Sequence, residues 1–239
     1  MGNTNLDLKP CYPKEMDMRP KQVRLRNITN CSSDLPCGRV PCSTCGTALQ
    51  FWFIKQCSHH FGDLQNLDMV SIVHPSLSHK FEAIHEINFK RSARFFRELI
   101  TSADVESRQW LGGVDLSLNI DTTSDRPRLW CDHAMMITPS LSDVEIRNLR
   151  KRLPKGSDVL RPLKVTRVYD LIGAANYTFK GSFSKRELYE TSEGLRQTRK
   201  HALNGIAETM LINEHLDSLH QHRLITIGLR RNGSSLVKV

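Results

Sequence analysis

The chain has no run of about 18 consecutive apolar residues, the length at which a helix begins to cross a bilayer. Its opening, MGNTNLDLKP, lacks the apolar core of a secretory signal. The same stretch begins like a myristoylation site, but Leu6 stands where Ser or Thr is required. These absences lead to the expectation of a cytoplasmic protein without a membrane partner. An even cysteine set is also missing. There are 7 cysteines, and with no signal peptide an odd count argues against a disulfide scaffold. No internal repeat is visible. Acidic residues are the minority charge, 25 against 34 Lys and Arg, a formal net charge of +9. That balance favours polyanionic partners, nucleic acid ahead of an anionic membrane surface.

What is present suits a globular chain. At 239 residues, 39% hydrophobic and 25% charged, it can bury a substantial core. Residues 1–30 are polar and aperiodic, with Pro10, Pro13 and Pro20, and read as a basic tail carrying Lys9, Lys14, Arg19, Lys21, Arg24 and Arg26. Residues 31–62 form a cysteine-rich module and 63–239 the main domain. In the module, CSSDLPCGRVPCSTCG places Cys37, Cys42 and Cys45 at C-x4-C-x2-C with Cys31 upstream. Structural Zn²⁺ wants four tetrahedral ligands, and a C-x2-C knuckle supplies two from one turn. Cys31 and Cys37 are the natural remaining pair, with Cys57, His59 and His60 as substitutes. Free buried thiols or a redox pair are the competing reading.

Further along, LDMVSIVHP reads as a strand ended by Pro75, and KFEAIHEINFKRSARFFRELITSA as a helix. Arg91, Arg94 and Arg97 lie on that helix and offer a nucleic-acid-binding surface, or simply a solvated face. GGVDLSLN alternates, with Val114, Leu116 and Leu118 on one face and Asp115, Ser117 and Asn119 on the other. DTTSDRPR turns the chain into RLWCDHAMMI, so the two strands form an antiparallel pair. One register sets Asp115 opposite His133; a shift by one residue destroys that pairing. SLSDVEIRNLRKRLP is a helix with a Ser142–Glu145 capping box, and its Arg147, Arg150 and Lys151 are further candidates for phosphate contacts. RPLKVTRVYDL returns to strand. IGAANYTFK reads as a short helix with Tyr177 and Lys180 on one face, residues 181–223 as polar and helical, and RLITIGLRRNGSSLVKV as a hairpin turning at Asn232-Gly233. The expected class is α+β, a central antiparallel sheet flanked by helices.

The order of these pieces resembles the rolling-circle replication initiators of plasmids and phages and related transposases, the HUH endonucleases. The resemblance rests on the C-x4-C-x2-C knuckle, the GVDLSLN strand, the strand ending in DHAMM, the helix after it, RPLKVTRVYDL and AANYTFK, over roughly residues 31–190. It implies a sheet-centred HUH fold that nicks single-stranded origin DNA, with host replication proteins as further partners. Tyr177 is implied as nucleophile, leaving a 5′-phosphotyrosine and a free 3′-hydroxyl, with Lys180 beside it. His133 and a carboxylate, Asp115 or Asp132, are implied to hold Mg²⁺ or Mn²⁺. Met135 stands where the family has its second histidine, and thioether sulfur is a poor ligand for hard cations. A non-cleaving nucleic-acid binder with a zinc module is the alternative, and a basic structural or assembly protein a third.

Overall fold

The computed structural model describes residues 30–32, 37–40, 42–105, 108–121, 128–154, 161–180, 183–191, 194–197, 201–203, 205–215, 218 and 220–239. The basic tail and most of the DTTSDRPR turn lie outside them. Among the described residues the architecture is α+β, with a curled mixed sheet of eight strands flanked by helices.

Four strands form its centre: β1 (Leu67–Lys80), β2 (Trp110–Asp121), β3 (Leu129–Pro139) and β4 (Leu163–Val168). They run in the order β4-β1-β3-β2, all antiparallel. The far edge of β2 has two partners. Its first residues, Trp110–Gly113, pair antiparallel with β8 (Leu224–Ile227), and its last, Ser117–Asp121, pair parallel with β5 (Ser184–Thr191). β5 also carries β6 (Gly194–Gln197) and β7 (His201–Ala202). The sheet is therefore mixed where a wholly antiparallel one was expected, because β5 arrives by a crossover from β4 rather than by a hairpin.

Alternation along β2 and β3 sends even-numbered residues to one face and odd-numbered ones to the other. On the even face Trp110, Val114, Leu116, Trp130, Ala134 and Met136 pack under α2 (Phe89–Thr101), α3 (Asp143–Lys151) and α5 (Gly205–His215). On the odd face Leu111 and Ile137 pack under α1 (Ser43–Phe61) and α4 (Leu171–Thr178), through Leu49, Phe53, Ala175 and Phe179. A small hairpin, β9 (Leu229–Asn232) with β10 (Ser235–Lys238), closes this side through Leu229 and Leu236.

Local signals explain most element ends. Ser142 accepts from the Glu145 backbone while the Glu145 carboxylate takes the Ser142 amide, so the expected capping box starts α3. Asn88 caps α2. Gly233, at φ 58, turns the last hairpin as the Asn-Gly pair required.

Several expectations are corrected. Pro75 does not end β1: the strand runs to Lys80 across a register shift between Val73 and Ser78, an irregularity that tolerates a residue with no N–H. The helix expected from Lys80 begins at Phe89, after a 3₁₀ segment at Phe81–Glu86. Residues 184–202 supply strands β5 to β7, and helix resumes only at α5. LITI pairs with β2 rather than with LVKV, since Gly228, at φ 65, breaks the run between β8 and β9. α4 stops at Thr178, which leaves Lys180 beyond the helix.

Candidate functional site

The β2–β3 register places Asp115 directly opposite His133 on the odd face. Their side chains meet, His133 Nε2 lying 3.3 Å from Asp115 Oδ2. Asp115 is 1% exposed, so its carboxylate needs partners. Its Oδ1 accepts from the Leu116 amide at 3.1 Å, and Lys180 Nζ donates to Oδ2 at 2.5 Å. Lys180 also lies over the Tyr177 ring, 4.6 Å from its centroid. One ammonium thus links the buried Asp115–His133 pair to a tyrosine that is 41% exposed. Tyr177 and Lys180 meet because the chain turns at Phe179 after the helix, not because they share a helical face.

A glycine makes this turn possible. A Cβ on Gly113 would fall 2.5 Å from the Phe179 ring, so the ring presses directly against β2 two residues before Asp115. Phe179 stacks on Phe53 of α1 at 5.1 Å. Its successor Lys180 is delivered over the carboxylate. Tyr177 and Lys180 then border an open cleft of about 520 Å³ with Ser43, Thr47, Gln50, Gly173 and Asn176. Gln50 fixes the two helices across it, donating to the Asn176 carbonyl at 2.9 Å.

Asp132 takes no part in this cluster. It points to the even face, where the Ser92 hydroxyl donates to its Oδ2 at 2.5 Å. Complete burial pushes its carboxyl up to about 7. Arg91, Arg94 and Arg97 on α2, and Arg147, Arg150 and Lys151 on α3, belong to helices covering that same even face. The structure brings His133, Asp115, Lys180 and Tyr177 together and leaves those six basic residues on the other layer. Arg94 pairs with Glu98 at 3.3 Å as an exposed helix pair.

The second cluster is Cys31, Cys37, Cys42 and Cys45, whose sulfurs all lie within 4.8 Å of one another. Cys31 and Cys45 approach to 3.4 Å, and Cys37 and Cys45 to 3.8 Å. A tetrahedral zinc with bonds of about 2.3 Å sets its sulfurs about 3.8 Å apart, so the spacing suits that ion. Backbone amides point at the sulfurs: Gly38 N–H donates to Cys45 Sγ at 3.1 Å and Cys37 N–H to Cys31 Sγ at 3.4 Å. Such donation stabilises thiolate charge. Hydrogen bonds from Cys37 and Cys45 hold the Cys42 thiol far below its usual range, while the same contacts push Cys45 up and Cys37 to about 12. A divalent cation held there would take all four as thiolates. The substitute Cys57 is a core residue of α1.

Among the described residues these cysteines alone gather three or more potential metal ligands. His133 and Asp115 offer two donors, and the Lys180 ammonium already holds the Asp115 oxygen that faces His133. As it stands, that pair does not fit Mg²⁺ or Mn²⁺, which require about six oxygen-rich positions.

Two residues of the site gave no sequence signal: Arg223, 1% exposed, and His220 beside it. Arg223 Nε donates to the Val114 carbonyl at 2.9 Å and Nη2 to the Lys180 carbonyl at 3.1 Å. Its only trace in sequence is a single arginine at the head of the apolar run LITIGL. No helix of the described residues is long and apolar enough to cross a membrane. Compared with known proteins, the chain matches no protein family, no characterised protein and no solved structure.

Proposed function

We propose that this chain is a DNA strand-transfer protein of the rolling-circle initiator type, in which Tyr177 attacks a phosphodiester of single-stranded DNA. One observation carries the reading: Lys180 stands between the buried Asp115 carboxylate and the ring of the exposed Tyr177. Free tyrosine ionises near ~10, so an attacking phenol needs a cation at hand. Lys180 supplies it, and Asp115 holds the lysine in place. His133 buttresses Asp115 from the other strand.

In the step itself a bond forms between Tyr177 Oη and phosphorus as the bond from phosphorus to the 3′ oxygen breaks. The phenol proton leaves to solvent and the departing 3′ oxygen takes one up. Lys180 neutralises charge on the phosphate oxygens as it builds. The formal charge of +9 favours capture of the strand, with affinity falling as salt rises. Mg²⁺ or Mn²⁺ would polarise the phosphate in this chemistry. The two-donor set of His133 and Asp115 leaves no step to assign to it. The four cysteines suit structural Zn²⁺, which would fix the start of α1 beside the cleft.

The test is a covalent adduct. Incubation with single-stranded, origin-like oligonucleotides, with and without Mg²⁺ or Mn²⁺, should give a denaturation-resistant complex whose phosphopeptide contains Tyr177. Tyr177→Phe should give none. Absence of adduct from the wild type across such a panel would sink the enzyme reading.

A second reading has its own observation. Met135 sits 3% exposed on the face of His133, where a second ligand would be needed. It supports a zinc-containing nucleic-acid binder that does not cut. That protein would show salt-sensitive binding and zinc content with no adduct.

A further inference from the structure

The far edge of β2 is interrupted. β8 ends its pairing at Gly113 and β5 begins at Ser117, which leaves Val114 to Leu116 between two partners. Asp115 is the middle residue of that gap. Backbone groups there need other bonds. The Asp115 carboxylate takes the Leu116 amide, and the buried Arg223 guanidinium takes the Val114 carbonyl.

Arg223 ends a 3₁₀ turn, His220–Arg223, just before β8. Its guanidinium lies between the rings of Phe179 and Phe183, at 4.8 and 4.6 Å. Nη2 donates to the Lys180 carbonyl, and Nη1 faces His220 Nδ1 at 3.2 Å. A guanidinium only donates, so Nδ1 accepts and the remaining proton of neutral His220 sits on Nε2. Nε2 then donates to the Cys42 carbonyl at 3.2 Å. Two backbone bonds brace the same junction: His220 N–H to the Gly38 carbonyl at 3.0 Å, and Val40 N–H to the Ser218 carbonyl at 2.7 Å. The path from the four-cysteine loop to Lys180 is therefore continuous: Cys42, His220, Arg223, Lys180. A guanidinium is an expensive group to bury, and an apolar side chain would fill the same volume at less cost. Its donors go to the two segments that carry Asp115 and Lys180.

We propose that Arg223, seated by His220, is a positioning residue for Lys180, a strut that ties the Lys180–Asp115 pair to the four-cysteine centre. Its consequence for catalysis rests on the proposed function, but the strut itself does not. Loss of His220, loss of Arg223 or removal of zinc each releases the same lysine.

Lysine acetylation by an N-hydroxysuccinimide ester, quantified peptide by peptide on the zinc-loaded full chain, tests this. In His220→Phe and Arg223→Met the Lys180 peptide should label roughly tenfold faster, the factor that about 1.4 kcal/mol of lost tethering gives. The exposed Lys164 and Lys238 should label at unchanged rates. Chelating zinc from the wild type should give the same selective release and add nothing further in His220→Phe. Unchanged Lys180 labelling in His220→Phe overturns the proposal. So does a rise at every lysine together, which would mean that these residues merely hold the fold. The labelling needs no DNA, so a wild type that never nicks leaves it intact. If the wild type does nick, His220→Phe should lower kcat at unchanged KM for the oligonucleotide.

Discussion

Lys180 reaches back 65 residues to place its ammonium 2.5 Å from Asp115 Oδ2. That contact makes a carboxylate buried between two strands tolerable, and it holds a positive charge beside Tyr177. Removing the lysine tests both effects. Lys180→Met removes one ionic partner of Asp115 and leaves His133 among the others, and a broken buried pair typically costs about 3–5 kcal/mol. His133 and the Leu116 amide still compensate, so the expected loss lies at the lower end and shows as a lower urea midpoint. Adding Asp115→Asn should recover most of it, because no charge is then stranded.

Tyr177→Phe separates chemistry from stability. The side chain is half-exposed, so stability should change by no more than about 0.5 kcal/mol, as for most surface substitutions. Adduct formation should vanish. A variant that melts like the wild type yet still forms the adduct would move the nucleophile elsewhere.

Gly113→Ala probes the close approach of Phe179. The new methyl would collide with the ring at 2.5 Å, and the Arg223 carbonyl stands at 3.0 Å. Overpacking of this kind costs about 1–3 kcal/mol. It should lower Tm by roughly 2–4 °C per kcal/mol for a chain of this size. Lys180 should become more reactive in the same variant, since Phe179 carries it.

Asp132 should give stability a distinct pH slope. Its carboxyl ionises near 3.8 in the unfolded chain and near 7 when folded, because burial disfavours the charge. Between those values the unfolded state binds fewer protons, so this group removes stability as pH rises, by on the order of 4 kcal/mol in all. His220 works in the opposite direction. Burial and Arg223 hold it down to about 3, and the unfolded chain protonates near 6.5, so its contribution is lost as pH falls between those values. Asp132→Asn isolates the first slope. On going from about pH 5 to about pH 7 the urea midpoint should rise in the variant relative to the wild type, because the His220 slope is then no longer offset, and the variant should be the more stable of the two at the higher pH.

The cysteine centre predicts a single zinc per chain, measurable by elemental analysis and by release to a chromogenic chelator. Cys45→Ser should reduce that content and lower Tm, because structural zinc contributes binding energy directly to folding, on the order of 10 kcal/mol at neutral pH. Full zinc retention in Cys45→Ser would remove it from the ligand set.

Much of this was legible in the sequence because it rests on short-range periodicity. Alternation in GVDLSLN and WCDHAMMI put Asp115 and His133 on one face, and one of the two open registers is the observed one. The capping box and the Asn-Gly turn are equally local. What escaped depends on distant partners. Residues 184–202 look polar and helical because β5 is half-exposed and lies beside β2, which no local pattern reveals. Which face of the sheet a helix covers is set by crossover topology, so Arg91 and Arg147 could not be placed relative to Asp115. Arg223 was hidden for the same reason: its donors serve Val114 and Lys180, 109 and 43 residues away.

The interrupted edge of β2 also bears on when the cluster around Asp115 is completed. The cluster around Asp115 needs β8 and the 3₁₀ turn before it, which come late in the chain, and the bonds at Gly38 and Cys42 need that same turn. During synthesis β1 to β4 can pair while the ribosome still holds everything past α4. Lys180 then has no Arg223 to seat it, and Asp115 sits on an unfinished edge. A nascent chain therefore lacks the bonds that seat Lys180 beside Tyr177 until residues 220–227 are in place.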